Sequence, residues 1–251
     1  MLHDSVQDIA VAGGFPSTHW TLIIKAGSLT SSEARRALTE LCSIYWYPLY
    51  AFIRRKGNDP DHALDLTQSY FERLLEKGVI ARAKQSKGRF RSFLRTDCQR
   101  FLINQYRWRT VRGAVCSGVS IDGPSAENRY RCEPVDTLTP DRLFDRAWAS
   151  ALLDRVLDLL ALEQAAKGNS HVFERLKILL TKAMDTLPVA TLAGQLGMTV
   201  GAVHTAVHRL RRRYRQILQE QIAATLEDPS EMEDEIRWLF DAFRSERTRP
   251  R

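Results

Sequence analysis

The stretch Val189-Ala190-Thr191-Leu192-Ala193-Gly194-Gln195-Leu196-Gly197-Met198-Thr199-Val200-Gly201-Ala202-Val203-His204-Thr205-Ala206-Val207-His208-Arg209-Leu210-Arg211-Arg212-Arg213 decides the fold. Val189, Leu192, Ala193 and Leu196 recur at helical spacing, which predicts a short apolar helix. Gly197 supplies a tight turn. Thr199 stands where its hydroxyl caps the free N–H groups of a second helix. In that helix Val203, Val207 and Leu210 share one side, and His204, Thr205, His208, Arg209, Arg212 and Arg213 share the other. A helix-turn-helix with so basic a second helix suits a DNA major groove. Side chains near its start reach base edges, and later arginines neutralise phosphates. The plain alternative is a helical hairpin with solvated arginines. His204 and His208 lie one turn apart, but the run between them lacks the glutamate of a zinc-protease helix and no third ligand is evident. No metal and no cofactor is expected.

Outward from this stretch the pattern stays helical, and the chain is predicted all-α. Alternating strand-like runs with hairpin turns are missing. Tyr45, Leu49 and Phe52 continue an apolar face through about residues 33–56, with Pro48 expected to kink or split that helix. Gly57-Asn58 reads as a stop, and Asp59-Pro60 as a cap followed by proline at the first helical position. The helix at about 60–77 buries Ala63, Leu66, Tyr70, Phe71 and Leu74 and shows Asp65, Gln68 and Glu72 on its other side. A third helix, about 89–109, turns Phe90, Phe93, Leu94, Cys98, Phe101 and Leu102 inward. Residues 111–139, rich in glycine and proline, read as a linker. Thr139-Pro140 opens further helices at about 140–167 and 171–184, separated by Gly168-Asn169. Asp228-Pro229 caps a last one, with Met232, Ile236, Leu239, Phe240 and Phe243 on one side.

The 251 residues carry a net charge of +7, and its distribution is uneven. Residues 1–32 form a lead-in at −1, residues 33–110 carry +8, residues 111–142 carry −1, residues 143–219 carry +5, and residues 220–251 carry −4. Two basic blocks and an acidic tail suggest a polyanionic partner, most often nucleic acid. No apolar run approaches the ~18 residues of a membrane span, and the N-terminus lacks signal-peptide order, so a cytoplasmic protein with no membrane partner is expected. Cys42, Cys98, Cys116 and Cys132 show no C-x-x-C spacing and read as free thiols.

The first basic block alternates Phe90, Phe93, Phe101, Tyr106 and Trp108 with Arg89, Arg91, Arg95, Arg100, Arg107 and Arg109. Cationic funnels with aromatic stacking platforms hold unpaired bases. Phe93 and Phe101 are expected in the core, with Arg100, Asn104 and Arg107 better placed for nucleic acid. No nucleophile–base pair, phosphate-cradling glycine loop or acidic metal cluster occurs, so the chain is not expected to be an enzyme.

Two basic helical blocks, the second ending in a helix-turn-helix, resemble a bacterial RNA polymerase sigma factor of the sigma-70 family in its short extracytoplasmic-function form. A planctomycete-rich subgroup with acidic C-terminal extensions looks nearest. The run Tyr45–Arg55 followed by Ala63–Gln68 looks like the start of sigma region 2. Gly88-Arg89-Phe90-Arg91-Ser92-Phe93-Leu94 through Asn104 looks like its −10-melting part, and Gly197–Arg213 looks like region 4. The resemblance implies region 2 over 33–110, a flexible linker over 111–139, region 4 over 140–221 and a C-terminal extension over 222–251. It implies that Asp65, Gln68 and Glu72 dock on the β′ clamp helices of core polymerase, with the β flap a second polymerase contact. Arg82, Lys84, Lys87, Arg95, Arg100, Asn104 and Arg107 would engage the melted −10 strand. Thr199, His204, Thr205, His208 and Arg209 would face the −35 element, with Arg212 and Arg213 nearer phosphates. An anti-sigma factor or another regulator would be a further partner. Leu64 and Ser69 stand where many relatives carry acids, Arg100 where many carry asparagine, and His204 where lysine or arginine is usual. The histidine predicts a mild pH dependence of −35 affinity.

Two other functions fit the pattern less fully: a stand-alone helix-turn-helix regulator and a nucleic-acid-processing enzyme. The tail helix is expected to pack on the second block. A second reading has it hold the free protein closed or receive a regulator.

Overall fold

The computed structural model describes residues 32–76, 90–112, 123–133, 138–181, 189–223, 226 and 229–244. The protein is all-α, with no strand among the described residues. In chain order the helices are α1 (Ser32–Arg55), α2 (Pro60–Glu76), α3 (Phe90–Arg112), α4 (Gly123–Arg131), α5 (Pro140–Ala166), α6 (Ser170–Leu176), α7 (Ile178–Thr181), α8 (Val189–Leu196) and α9 (Val200–Ala223). A 3₁₀ turn at Pro229–Glu231 leads into α10 (Met232–Asp241).

The expected caps and stops form. Asp59 accepts from the His62 N–H at 2.9 Å, Thr139 from that of Arg142 at 3.3 Å, and Thr199 from that of Ala202 at 3.2 Å. Gly57, Gly168 and Gly197 end their helices at positive φ (96°, 72° and 61°), where a Cβ would crowd the backbone. Pro48 does not split the helix: α1 runs through it from Ser32 to Arg55. The proline removes one backbone donor, but Leu49, Phe52 and Ile53 just beyond it have no exposed surface. Burying side chains of this size is worth about 1.5–3 kcal/mol each, enough to offset one missing hydrogen bond.

α5 lies along α1, the most extensive helix pairing among the described residues. Phe52 meets Phe144 edge-on at 6.2 Å, with both side chains fully buried. α2 packs on α1, and α9 packs on α5, where the Tyr214 hydroxyl donates to the Leu153 carbonyl at 3.4 Å. α2 and α3 meet at Tyr70, whose hydroxyl donates to the Leu94 carbonyl at 3.1 Å. One hydrophobic core therefore runs through helices expected in separate blocks.

The segment expected as linker contains α4, and α4 is tied down. Glu127 accepts from the Tyr50 hydroxyl at 2.7 Å and from both Arg54 Nε and a terminal guanidinium nitrogen. Tyr47 donates to Glu133 at 3.3 Å, and Arg146 of α5 pairs with the same carboxylate. Glu127 titrates below its ordinary value: burial raises it, and the Arg54 and Tyr50 hydrogen bonds outweigh that. Glycine and proline at 113–124 conceal a helix that its neighbours hold in place.

Candidate nucleic-acid interface

The helix-turn-helix forms as read. The Met198 N–H donates to the Ala193 carbonyl at 2.9 Å, closing the turn that Gly197 makes possible. Ala193, Val203, Val207 and Leu210 are buried, and Val189, Leu192 and Leu196 pack half-buried against them. That leaves one long side of α9 to solvent. Gly201, His204, Thr205, His208, Arg209, Arg212, Arg215, Gln216 and Gln219 are all exposed there. The only acid in α9 is Glu220, near its end. Thr205 donates to the Gly201 carbonyl at 3.0 Å, so its hydroxyl is oriented before any ligand arrives.

Two α9 arginines are engaged within the fold. Arg213 pairs with Glu163 of α5, its Nε lying 2.9 Å from one carboxylate oxygen, and with Glu220 at 3.0 Å. The hydrogen bonds from Arg213 hold Glu163 below its ordinary value, and Arg213 is raised in turn. Arg211 donates to the Leu179 carbonyl at 2.6 Å. Thr199 is used as the helix cap. His204 and His208 are both exposed, and among the described residues no group of three or more potential ligands gathers to hold a metal.

α3 presents a second side of the same character. Ser92, Thr96, Gln99, Arg100, Ile103, Asn104 and Arg107 are exposed at steps of three and four. The one acid of this helix, Asp97, is turned away onto Arg73, with two contacts of 3.1 Å. Gln99 and Ile103 were not singled out from sequence, although their spacing to Arg100 and Asn104 marks them. Ile103 is 43% exposed in the middle of this polar row. Tyr106, 40% exposed, is fixed by donating to Asn58 at 3.0 Å.

Arg95 does not join this row. It pairs with Asp141 at 3.2 Å and Asp145 at 3.1 Å, both on α5. Those acids lie some 50 residues ahead in the chain, so sequence spacing gave no sign of them. Burial raises Asp145 above its ordinary value despite Arg95. Arg82, Lys84 and Lys87 lie outside the described residues, as do Cys116 and Asp228.

On α2, Glu72 is exposed and Asp65 and Gln68 are half-buried, with Gln68 donating to Glu72 at 3.0 Å. Gln68 and Glu72 line a groove of about 540 Å³ between α1, α2 and α4. Trp46, Tyr47, Phe71 and Arg129 of α4 line it as well.

No protein-family model matches the chain, and neither do the curated proteins or the solved structures compared with it.

Proposed function

We propose that this chain is a promoter-specificity subunit of bacterial RNA polymerase, acting in the cytoplasm. It would bind core polymerase, read duplex DNA with α9 and hold an unpaired strand along α3. It would make and break no covalent bond itself.

The observation that carries this reading is the pair of exposed helix sides, one along α9, the second helix of a helix-turn-helix, whose single acid Glu220 stands near its end, and one along α3 without an acid. A duplex reader needs the first kind: polar groups at the helix start and arginines further on. The second mixes arginines with an amide pair, an exposed isoleucine and a fixed tyrosine. Such a surface accepts bases by their faces as well as phosphates. The groove beside Gln68 and Glu72 supports a separate protein contact, to the clamp helices of core. No helix among the described residues is long and apolar enough to cross a membrane.

Run-off transcription with core polymerase over a genomic promoter library tests the proposal. Promoter-dependent transcripts and a stable complex with core are expected. Neither transcript nor complex would defeat it. One observation favours a second reading, a stand-alone regulator: the core shared by α1 and α5 makes the two DNA-facing helices parts of one body. Tight, sequence-selective duplex binding without polymerase would support that reading instead.

A further inference from the structure

The acidic tail ends in a contact that the proposed function leaves unused. Glu235 of α10 has no exposed surface, and it is paired with Arg91, the second residue of α3, which is 4% exposed. A second contact joins Arg91 to the other carboxylate oxygen at 3.1 Å, across 144 positions of chain. The Arg91 guanidinium also lies 3.5 Å from the ring centre of Trp238 on α10 and 4.9 Å from that of Trp148 on α5. The two indoles are tilted at 58° to each other, with their centres 5.6 Å apart. Arg91 therefore holds at once a carboxylate and an aromatic ring, both supplied by α10 three residues apart.

Stability alone does not call for this arrangement. Desolvating two charges nearly cancels their attraction, and a well-packed apolar pair holds a seam as tightly. What an ionic contact offers is solubility on both sides when it opens. A carboxylate beside a flat indole also has the chemistry of a phosphate beside a base. Arginine binds both, the anion by its fork of donors and the ring by cation–π stacking.

We propose that α10 is a displaceable internal ligand. Its Glu235 and Trp238 occupy, on Arg91 and Trp148, a site fitted to the phosphate and unpaired base of single-stranded nucleic acid. Arg91 lies in the first turn of α3, one residue before Ser92, where the exposed row of that helix begins. Exposed Glu231, Glu233 and Asp234 on the tail repel a polyanion while α10 is docked, and that field leaves with it. This inference rests on the reading of α3 as the single-strand surface.

The test measures binding of a short fluorescein-labelled DNA single strand, and of its duplex, at fixed salt. The proteins are the full chain, the Glu235→Gln/Trp238→Ala variant and a chain ending before Pro229. Both altered proteins are expected to gain roughly tenfold in single-strand affinity, the scale of one stacked base, with a smaller gain in duplex affinity from the lost acidic field. Adding Arg91→Gln should abolish the gain, and an α10 peptide supplied in trans should reverse it. Unchanged single-strand affinity in a folded truncated chain overturns the proposal, as does a gain that survives Arg91→Gln. Loss of cooperative folding in both altered proteins would make α10 an obligatory core element and overturn it too. The outcomes separate from those of the transcription assay. Core-dependent transcription without a single-strand gain sinks the internal ligand alone. A gain without core-dependent transcription sinks the promoter reading and leaves the site standing.

Discussion

α3 and α9 are both long arginine-rich helices with a single acid each, yet they spend their arginines differently. In α3 the first two described arginines face inward: Arg91 meets Glu235, and Arg95 meets Asp141 and Asp145. Arg100 and Arg107, further along, are exposed. In α9 the two kinds alternate. Arg209, Arg212 and Arg215 are exposed along one side, while Arg211 is drawn to the Leu179 carbonyl and Arg213 to Glu163 and Glu220. A basic run in sequence thus mixes arginines that hold the fold with arginines that can meet a ligand. The acids that sort them are remote in the chain.

The sharpest way to break this division is Arg95→Ala. It strands the half-buried Asp145, and leaving a buried polar group unpaired costs about 1–3 kcal/mol. The variant should lose that much in urea unfolding while keeping its affinity for DNA single strands. A fall in DNA affinity with unchanged stability would return Arg95 to the ligand-facing set.

Arg212→Ala should do the converse. Surface substitutions away from buried partners stay within about 0.5 kcal/mol of stability. If Arg212 neutralises a phosphate, duplex affinity drops for all sequences alike, and the slope of log affinity against log salt falls by about one. An unchanged slope would remove α9 from the duplex interface.

How much of this could be read from sequence follows from how far apart the interacting residues lie. The helix-turn-helix, the caps at Asp59, Thr139 and Thr199, and the stops at Gly57, Gly168 and Gly197 depend on neighbours within four residues, and all of them form. The buried residues expected in α2 are equally local, set by helical period alone. The roles of Arg91, Arg95 and Arg213 were not legible, because each depends on an acid 50 or more positions away. α4 escaped notice for the same reason: its period is weak, and Tyr47, Tyr50 and Arg54 of α1 hold it. On α10 the periodicity put Phe240 on the packed side. Phe240 is 57% exposed, and Glu235, which the apolar period left out, is buried.

Arg213 is the residue on which the two classes meet, and pH separates them. Its hydrogen bonds hold Glu163 below the ordinary 4.5, so the folded state favours the charged carboxylate. The stabilisation is present above the unfolded value and is lost as pH falls through the depressed folded one. Both side chains keep about a third of their surface exposed (34% and 32%), so solvent screens the pair. Its worth is at most about 1 kcal/mol, and less in high salt. Glu163→Gln should therefore lower the melting temperature slightly at neutral pH, with the gap to the unaltered protein closing well below 4.5. At neutral pH the same variant loosens Arg213 towards the exposed side of α9, which should steepen the salt dependence of duplex binding. If the melting gap closes in acid but the salt slope does not move, Arg213 holds the fold and nothing more. If both move, one carboxylate on α5 sets how many arginines α9 offers to DNA.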